Sequence, residues 1–179
     1  MEVRSKNYVR KDDFPTSLIM IDCNYLKEVN DHLGHEYGDL LLQRIANSIQ
    51  ETISKESIAI RVGGDEFLIL CPHHDHQQAE KLIEQLQESF HSKTDNILKL
   101  DAAFGYYTAM DDTLPFKEAF YIADKNMYAH KKIIHQQRNH NESKFLKNEI
   151  TLFLKKVCEM LHIGLNVTCF YFHMILKCM

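Results

Sequence analysis

Two acids follow two glycines at Gly63-Gly64-Asp65-Glu66, between the apolar runs Ile58-Ala59-Ile60 and Phe67-Leu68-Ile69-Leu70-Cys71. Apolar runs flanking Gly-Gly predict a β-hairpin whose turn takes positive φ and carries both carboxylates to a sheet edge. A third acid, Asp22, closes another apolar run, Ser17-Leu18-Ile19-Met20-Ile21. Hard cations such as Mg²⁺ prefer oxygen ligands and are bound by one or two carboxylates together with substrate phosphates. If the hairpin lies beside the strand that ends on Asp22, three carboxylates converge. That donor set suits phosphoryl or nucleotidyl transfer, in which a metal neutralises phosphate charge and helps activate an attacking hydroxyl. Taken alone, the four residues are equally what a solvated hairpin tip would show, and Asp22 alone is what a strand-end acid capping a loop would show.

The elements that must position these acids are legible from periodicity. Residues 17–22 read as a buried strand. After a polar, Gly-containing segment, Leu40, Leu41, Ile45, Ile49 and Ile53 recur at helical spacing and predict an amphipathic helix from about Asp39 to Ile53. The hairpin follows. Ala79, Leu82, Ile83, Leu86 and Phe90 predict a helix over residues 75–91, residues 98–108 alternate like a strand, and residues 116–134 read as another helix. Strand, helix, strand, strand, helix, strand, helix is the ferredoxin-like, split-βαβ order of an α+β protein, with a mostly antiparallel central sheet flanked by helices. The polar run His135-Gln136-Gln137-Arg138-Asn139-His140-Asn141-Glu142 is the candidate boundary, and residues 144–162 read as a further amphipathic helix.

Composition narrows the function classes. The chain of 179 residues with 45% hydrophobic residues is long enough for one core plus an appendage. A formal charge of −4 argues against broad binding of nucleic acid, while a metal-held nucleotide triphosphate needs no basic surface. Five scattered cysteines (Cys23, Cys71, Cys158, Cys169, Cys178) without a C-x-x-C pair indicate neither a disulfide framework nor a zinc site and favour a reducing cytoplasm. The start, Met1-Glu2-Val3-Arg4-Ser5, does not read as a secretory signal. Residues 163–179 are apolar but short of the ~18 residues of a span and interrupted by Asn166, Thr168, His173 and Lys177, so a buried strand, an interfacial segment or a loose tail is favoured over a membrane span. His73-His74-Asp75-His76 after Pro72 reads as a polar loop.

The block from Asp22-Cys23-Asn24-Tyr25-Leu26-Lys27 through Asn30-Asp31 to Gly38-Asp39, followed by Arg61-Val62-Gly63-Gly64-Asp65-Glu66-Phe67, resembles the GGDEF family of diguanylate cyclases. Ala103-Phe104-Gly105-Tyr106 and Ala123-Asp124-Lys125-Asn126-Met127-Tyr128-Ala129-His130-Lys131 are similar to that family's later strand and late helix. The resemblance covers about residues 17–132. It implies a nucleotidyl-cyclase palm-like fold, and an enzyme that joins two GTP into cyclic di-GMP with release of pyrophosphate, as a transient antiparallel homodimer with Mg²⁺ or Mn²⁺. It implies Asp22, Asp65 and the backbone carbonyl of Cys23 as metal ligands. Glu66 is implied in catalysis or a second metal, so that Asp65 and Glu66 are the catalytic pair. Substrate binding is implied for Gly63 and Gly64 at the phosphates, for the amides of Tyr25 and Leu26, for Lys131, and for Asn30 and Asp39 at guanine. A carboxylate that accepts from guanine N1 and N2, beside an amide that donates and accepts, agrees with that last role.

Several positions depart from the pattern. Residues 1–16 show no L-T-G segment and read as a shortened opening; 17–138 form the family domain and 139–179 a helical and apolar tail of no assigned role. Asn24 stands where many members have an Asp, His135 where a phosphate-binding Arg is common, which leaves Arg138 to substitute, and Ser54-Lys55-Glu56-Ser57 where an R-x-x-D inhibition site occurs. The competing reading is a catalytically silent module that binds GTP or a protein partner. A cyclase or polymerase-like enzyme using another base is disfavoured by Asn30 and Asp39. Neither a nucleic-acid nor a membrane partner is expected.

Overall fold

The computed structural model describes residues 11–160. Its strands are β1 (Thr16–Cys23), β2 (Ile58–Arg61), β3 (Glu66–Pro72) and β4 (Ala102–Ala109), and its helices are α1 (Leu26–Leu33), α2 (His35–Thr52), α3 (His76–Ser92) and α4 (Phe116–Met160). The four strands form one antiparallel sheet in the order β2-β3-β1-β4. This is the α+β architecture expected of the element order, with a pair of helices in the first crossover. The chain divides into two units, residues 1–134 and residues 135–179.

In the first unit, strand alternation sorts the core into two layers. Ile19, Ile21, Cys23, Phe67, Ile69, Cys71 and Phe104 pack with Leu41, Ile45 and Ile49 of α2 and with Leu82, Leu86 and Phe90 of α3. Leu18, Met20, Leu68, Leu70 and Ala103 face Ala119, Ala123 and Met127 of α4. Each large side chain so buried contributes about 1.5–3 kcal/mol before conformational entropy is subtracted. The close approach of β4 and α4 requires Gly105, because a Cβ there would stand 1.9 Å from the Met127 amide nitrogen and 2.4 Å from the Ala123 carbonyl oxygen.

Local chemistry sets the element ends. Asp75 caps α3 by accepting from the Gln78 amide at 2.9 Å, and the Gln78 side chain accepts from the Asp75 amide at 2.9 Å, a reciprocal box that satisfies two orphan donors. The open edge of β4 is covered by α4: the Phe104 amide donates to His130 Nδ1 at 3.0 Å, and Asn126 Nδ2 donates to the Tyr106 carbonyl at 3.0 Å. Edge groups satisfied in this way do not recruit a foreign strand.

Four expectations are corrected. The polar segment before the helix expected at residues 39–53 is itself helical, and α2 begins at His35. Gly38 lies inside α2, where a Cβ would stand 1.9 Å from Asn30 Oδ1, so α1 and α2 approach closely at a residue without a side chain. The expected strand over residues 98–108 begins only at Ala102; in the preceding segment Asp95 Oδ1 accepts from the Ile97 and Leu98 amides and Thr94 Oγ1 from the Leu100 amide, local bonds that replace a ladder. The separate helices expected over residues 116–134 and 144–162 are one helix, α4, since the polar run 135–142 has no Pro or Gly and polarity alone breaks no helix, although the two units divide where that run begins. The turn glycines are not in the left-handed region, where the one glycine among the described residues is Gly34. The connection spans residues 62–65, and a Cβ at Gly63 would stand 2.7 Å from Glu66 Oε2 and push that carboxylate aside. The expectations for residues 1–10 and 161–179 lie outside the described residues. No helix among the described residues is long and apolar enough to cross a membrane.

Gly105→Ala should lower stability by about 1–3 kcal/mol in urea unfolding, since backbone cannot move aside as a side-chain tip would. Gly64→Ala, where nothing lies within 4 Å, is the control and should change stability by less than about 0.5 kcal/mol. Equal losses would contradict the packing argument. A second prediction concerns pH. The Arg44 guanidinium, with the Leu98 and Ile97 amides, holds the exposed Asp95 carboxyl down to about 2 from 3.8. A lowered folded value stabilises above the unfolded one and is lost as pH falls through the folded one. Asp95→Asn should therefore melt below the native chain at pH 7, and the two curves should converge at about pH 2.

Candidate functional site

The site gathers at the C-terminal end of β1. Parity along the strand places Asp22 on the row of Leu18 and Met20, which faces α4, and β3 places Glu66 on the row of Leu68 and Leu70, on the same face. Asp22 and Glu66 are direct partners in the β1–β3 register. Like charges opposite one another across a ladder repel. Asp65 adjoins them, its carbonyl accepting from the Cys23 amide at 2.9 Å.

Lys131 of α4 answers that repulsion. Its Nζ donates to Asp22 Oδ2 at 2.7 Å, and the Asp22 side chain is only 5% exposed. Glu66 reports the surrounding field: burial first, then the charges of Asp22, Asp65 and Asp124, push its carboxyl above the ordinary value, while Lys131 pulls it down. Cys23 shows the same field, its thiol raised by burial and then by Asp22 and Asp65, so it is no nucleophile at neutral pH.

The hairpin tip is held by a cation. Arg61 Nε donates to the Gly63 and Gly64 carbonyls at 3.2 Å each, and Nη2 to the Gly64 carbonyl at 2.6 Å. The Val62 amide donates to the Glu66 carbonyl at 2.9 Å and closes the turn.

On the far side of β1, Tyr25 takes a left-handed conformation, φ 70°, and α1 starts after it without a side-chain cap. A helix start with uncapped amides is an anion-binding end. Lys99 donates to the Tyr25 hydroxyl at 2.8 Å and lies 4.8 Å from its ring centroid, which fixes the loop from outside. Asn30, half-buried on α1, lies against Gly38 of α2, and Asp39 follows at the rim of a cavity of about 550 Å³. That cavity is also lined by Leu42, Gln43, Arg61 and Phe67. Its size is that of a small-molecule pocket.

The structure therefore brings Asp22, Asp65, Glu66 and Lys131 together, and sets Tyr25, Leu26, Asn30 and Asp39 along the loop and helices that follow β1. Among the described residues no three His, Cys, Asp or Glu side chains form a cage that would hold a metal unaided. The donor set nevertheless suits a hard cation completed by phosphate oxygens: carboxylates crowded enough to raise Glu66, beside one buried acid already paired with an ammonium. His135 and Arg138 belong to the second unit.

Three residues of the site carry no role in the sequence reading. Asp124 stands seven positions before Lys131, two helical turns along one face, and that spacing was the available signal. Arg61 was visible as the last residue before the turn. Lys99 had no signal, for it meets Tyr25 across 74 positions of chain.

Comparisons with known proteins identify the family and the fold. Residues 2–139 match the family model described as diguanylate cyclase, GGDEF domain. The chain is 34% identical over 113 residues to the probable diguanylate cyclase DgcJ of Escherichia coli, covering 63% of this chain and 22% of that protein. It is 26% identical over 155 residues to an uncharacterized membrane protein of Staphylococcus epidermidis, covering 83% of this chain and 41% of that one. It thus spans between about a fifth and two fifths of the length of these relatives. Among solved structures, the active GGEEF domain of a diguanylate cyclase from Vibrio cholerae is similar, with a TM-score of 0.61 and 27% identity over 65% of this chain and 76% of that one.

The clamp on the turn is open to direct test. Arg61→Ala should speed hydrogen exchange at the Val62 and Gly63 amides about tenfold, the loss of ~1.4 kcal/mol of local stability, with the amides of β1 unaffected. Unchanged exchange at the turn would show that Arg61 does not hold it.

Proposed function

The chain belongs to the GGDEF family of diguanylate cyclase domains, and from that membership we propose that it condenses two GTP into cyclic di-GMP and pyrophosphate. The observation that carries the reading is the buried Asp22 opposite Glu66 at a strand end, under the ammonium of Lys131. Such a cluster is built for a highly charged anion and its counter-ion.

In this reading each copy binds one GTP. The uncapped start of α1, with the amides of Tyr25 and Leu26, receives phosphate oxygens, and Lys131 adds a mobile positive charge. Gly63 and Gly64 leave the hairpin low enough for phosphate to approach. Asn30 and Asp39 read the guanine edge, Asp39 accepting from N1 and N2 and so rejecting adenine. Asp22, Asp65, Glu66 and the Cys23 carbonyl would hold Mg²⁺ or Mn²⁺, which when bound supplies charge neutralisation at the phosphates. Glu66, with a carboxyl above its ordinary value, is placed to take a proton from the attacking 3′-hydroxyl. The 3′-oxygen of each GTP attacks the α-phosphorus of the other, so that two phosphodiester bonds form and two pyrophosphates leave. Because each copy holds one substrate, two copies must meet face to face, and activity belongs to a homodimer. GTP is a cytoplasmic nucleotide, so we place the domain on that side of any membrane.

The test is purified protein with GTP and Mg²⁺, product identified by mass. Cyclic di-GMP should appear at a rate that rises more steeply than linearly with protein concentration. Asp65→Ala and Glu66→Ala should each lower it by about 10²–10³-fold. Intact GTP binding with no product at high protein concentration would favour the silent module, and preference for ATP would overturn the roles of Asn30 and Asp39.

A further inference from the structure

Asp22 is a charged side chain in the core, 4% exposed, and Lys131 Nζ meets it at 2.7 Å. A buried carboxylate left without a cation is strongly destabilising. The pair therefore has a task of its own in the nucleotide-free protein. Its register partner Glu66 sharpens the requirement, since Glu66 feels the negative charges of Asp22, Asp65 and Asp124 and the positive charge of Lys131.

Lys131 is suited to a temporary place. Its side chain is 30% exposed, and an ammonium on a four-carbon stem reorients at little cost, unlike a planar guanidinium. A divalent ion that takes Asp22 as a ligand stands about 2.0–2.1 Å from a carboxylate oxygen. The ammonium already sits on that carboxylate, and two cations on one small group repel. Each cation on Asp22 therefore weakens the hold of the other.

We propose that Lys131 is the resident counter-ion of Asp22, displaced by the divalent metal and thereby released toward the triphosphate. The inference rests on the reading of Asp22 as a metal ligand. It adds a sequence of events that this reading alone lacks. Without nucleotide, metal and Lys131 compete, so metal alone binds weakly. With nucleotide, the phosphates draw the ammonium away from Asp22 and metal binding tightens. By linkage, metal then tightens nucleotide by the same factor. The site charges with both ligands or stays closed on its own lysine.

The test uses Mn²⁺ alone, without nucleotide, titrated by electron paramagnetic resonance into the full chain, Lys131→Met and Asp22→Asn. Lys131→Met should bind Mn²⁺ about tenfold more tightly than the native chain, and Asp22→Asn should lose that binding. Unchanged or weaker binding by Lys131→Met overturns the displacement while leaving the metal reading standing. Equal binding by the native chain and Asp22→Asn overturns both. Because Lys131→Met removes a contact to a buried carboxylate, a second readout uses the unaltered protein. Labelling with an amine-reactive reagent, read by mass, should rise at Lys131 on addition of Mg²⁺ relative to Lys132, whose ammonium lies 4.4 Å from the Tyr128 ring centroid. A ratio that does not move at saturating Mg²⁺ overturns the proposal as well.

Discussion

Like charges cannot share one end of a sheet without a cation between them. Asp22 and Glu66 are placed opposite one another by the β1–β3 register, and Asp65 and Asp124 stand near enough to be felt by Glu66. Lys131 reaches Asp22 from α4, its ammonium 2.7 Å from the carboxylate. The rest of the first unit can be understood as what keeps this unfavourable cluster in place. Ladder bonds fix the two strands, so neither acid can withdraw, and the apolar rows behind them anchor both strands on the face of α4. Gly105 then lets that helix approach closely enough for Lys131 to reach across.

The second support is the turn. Arg61 binds the two carbonyls that follow it in the loop, and Gly63 leaves room for the Glu66 carboxylate. A looser hairpin would let Glu66 swing toward solvent and relax the repulsion. Held as it is, Glu66 keeps a carboxyl raised by burial and by the neighbouring acids. On the opposite side, the strained backbone at Tyr25 and the stacking of Lys99 on its ring fix the start of α1. Strain of that kind is stored where a ligand needs a preformed loop.

Much of this was legible in the residues, for reasons that are local. The apolar runs at residues 17–22 and 67–71 located two strands and the acids beside them. Periodicity located α3, whose capping box of Asp75 and Gln78 the structure adds. What was not legible depends on contacts made across the chain. The segment around Gly34 and Gly38 looked like loop because glycine disfavours helix, and the close approach of α1 and α2 at Gly38, against Asn30, is a contact between elements. Residues 98–101 alternate like a strand, yet Thr94 and Asp95 take their amides. The acids of the site were found, but the partner of Asp22 lies 109 positions away and no local pattern joins them. Lys131 was recognised as a phosphate-binding match; its contact with the carboxylate came only from the fold.

The central claim is that the strand-end cluster is a cation-demanding nucleotide site in which Lys131 and a metal exchange places on Asp22. The most direct measurement is a crystal structure of the protein with Mn²⁺ and a non-hydrolysable GTP analogue, with manganese located by anomalous scattering. The account predicts manganese against Asp22 and Asp65, with the Lys131 ammonium on a phosphate oxygen. Manganese absent from Asp22, or Lys131 still bonded to it beside a bound analogue, would contradict it.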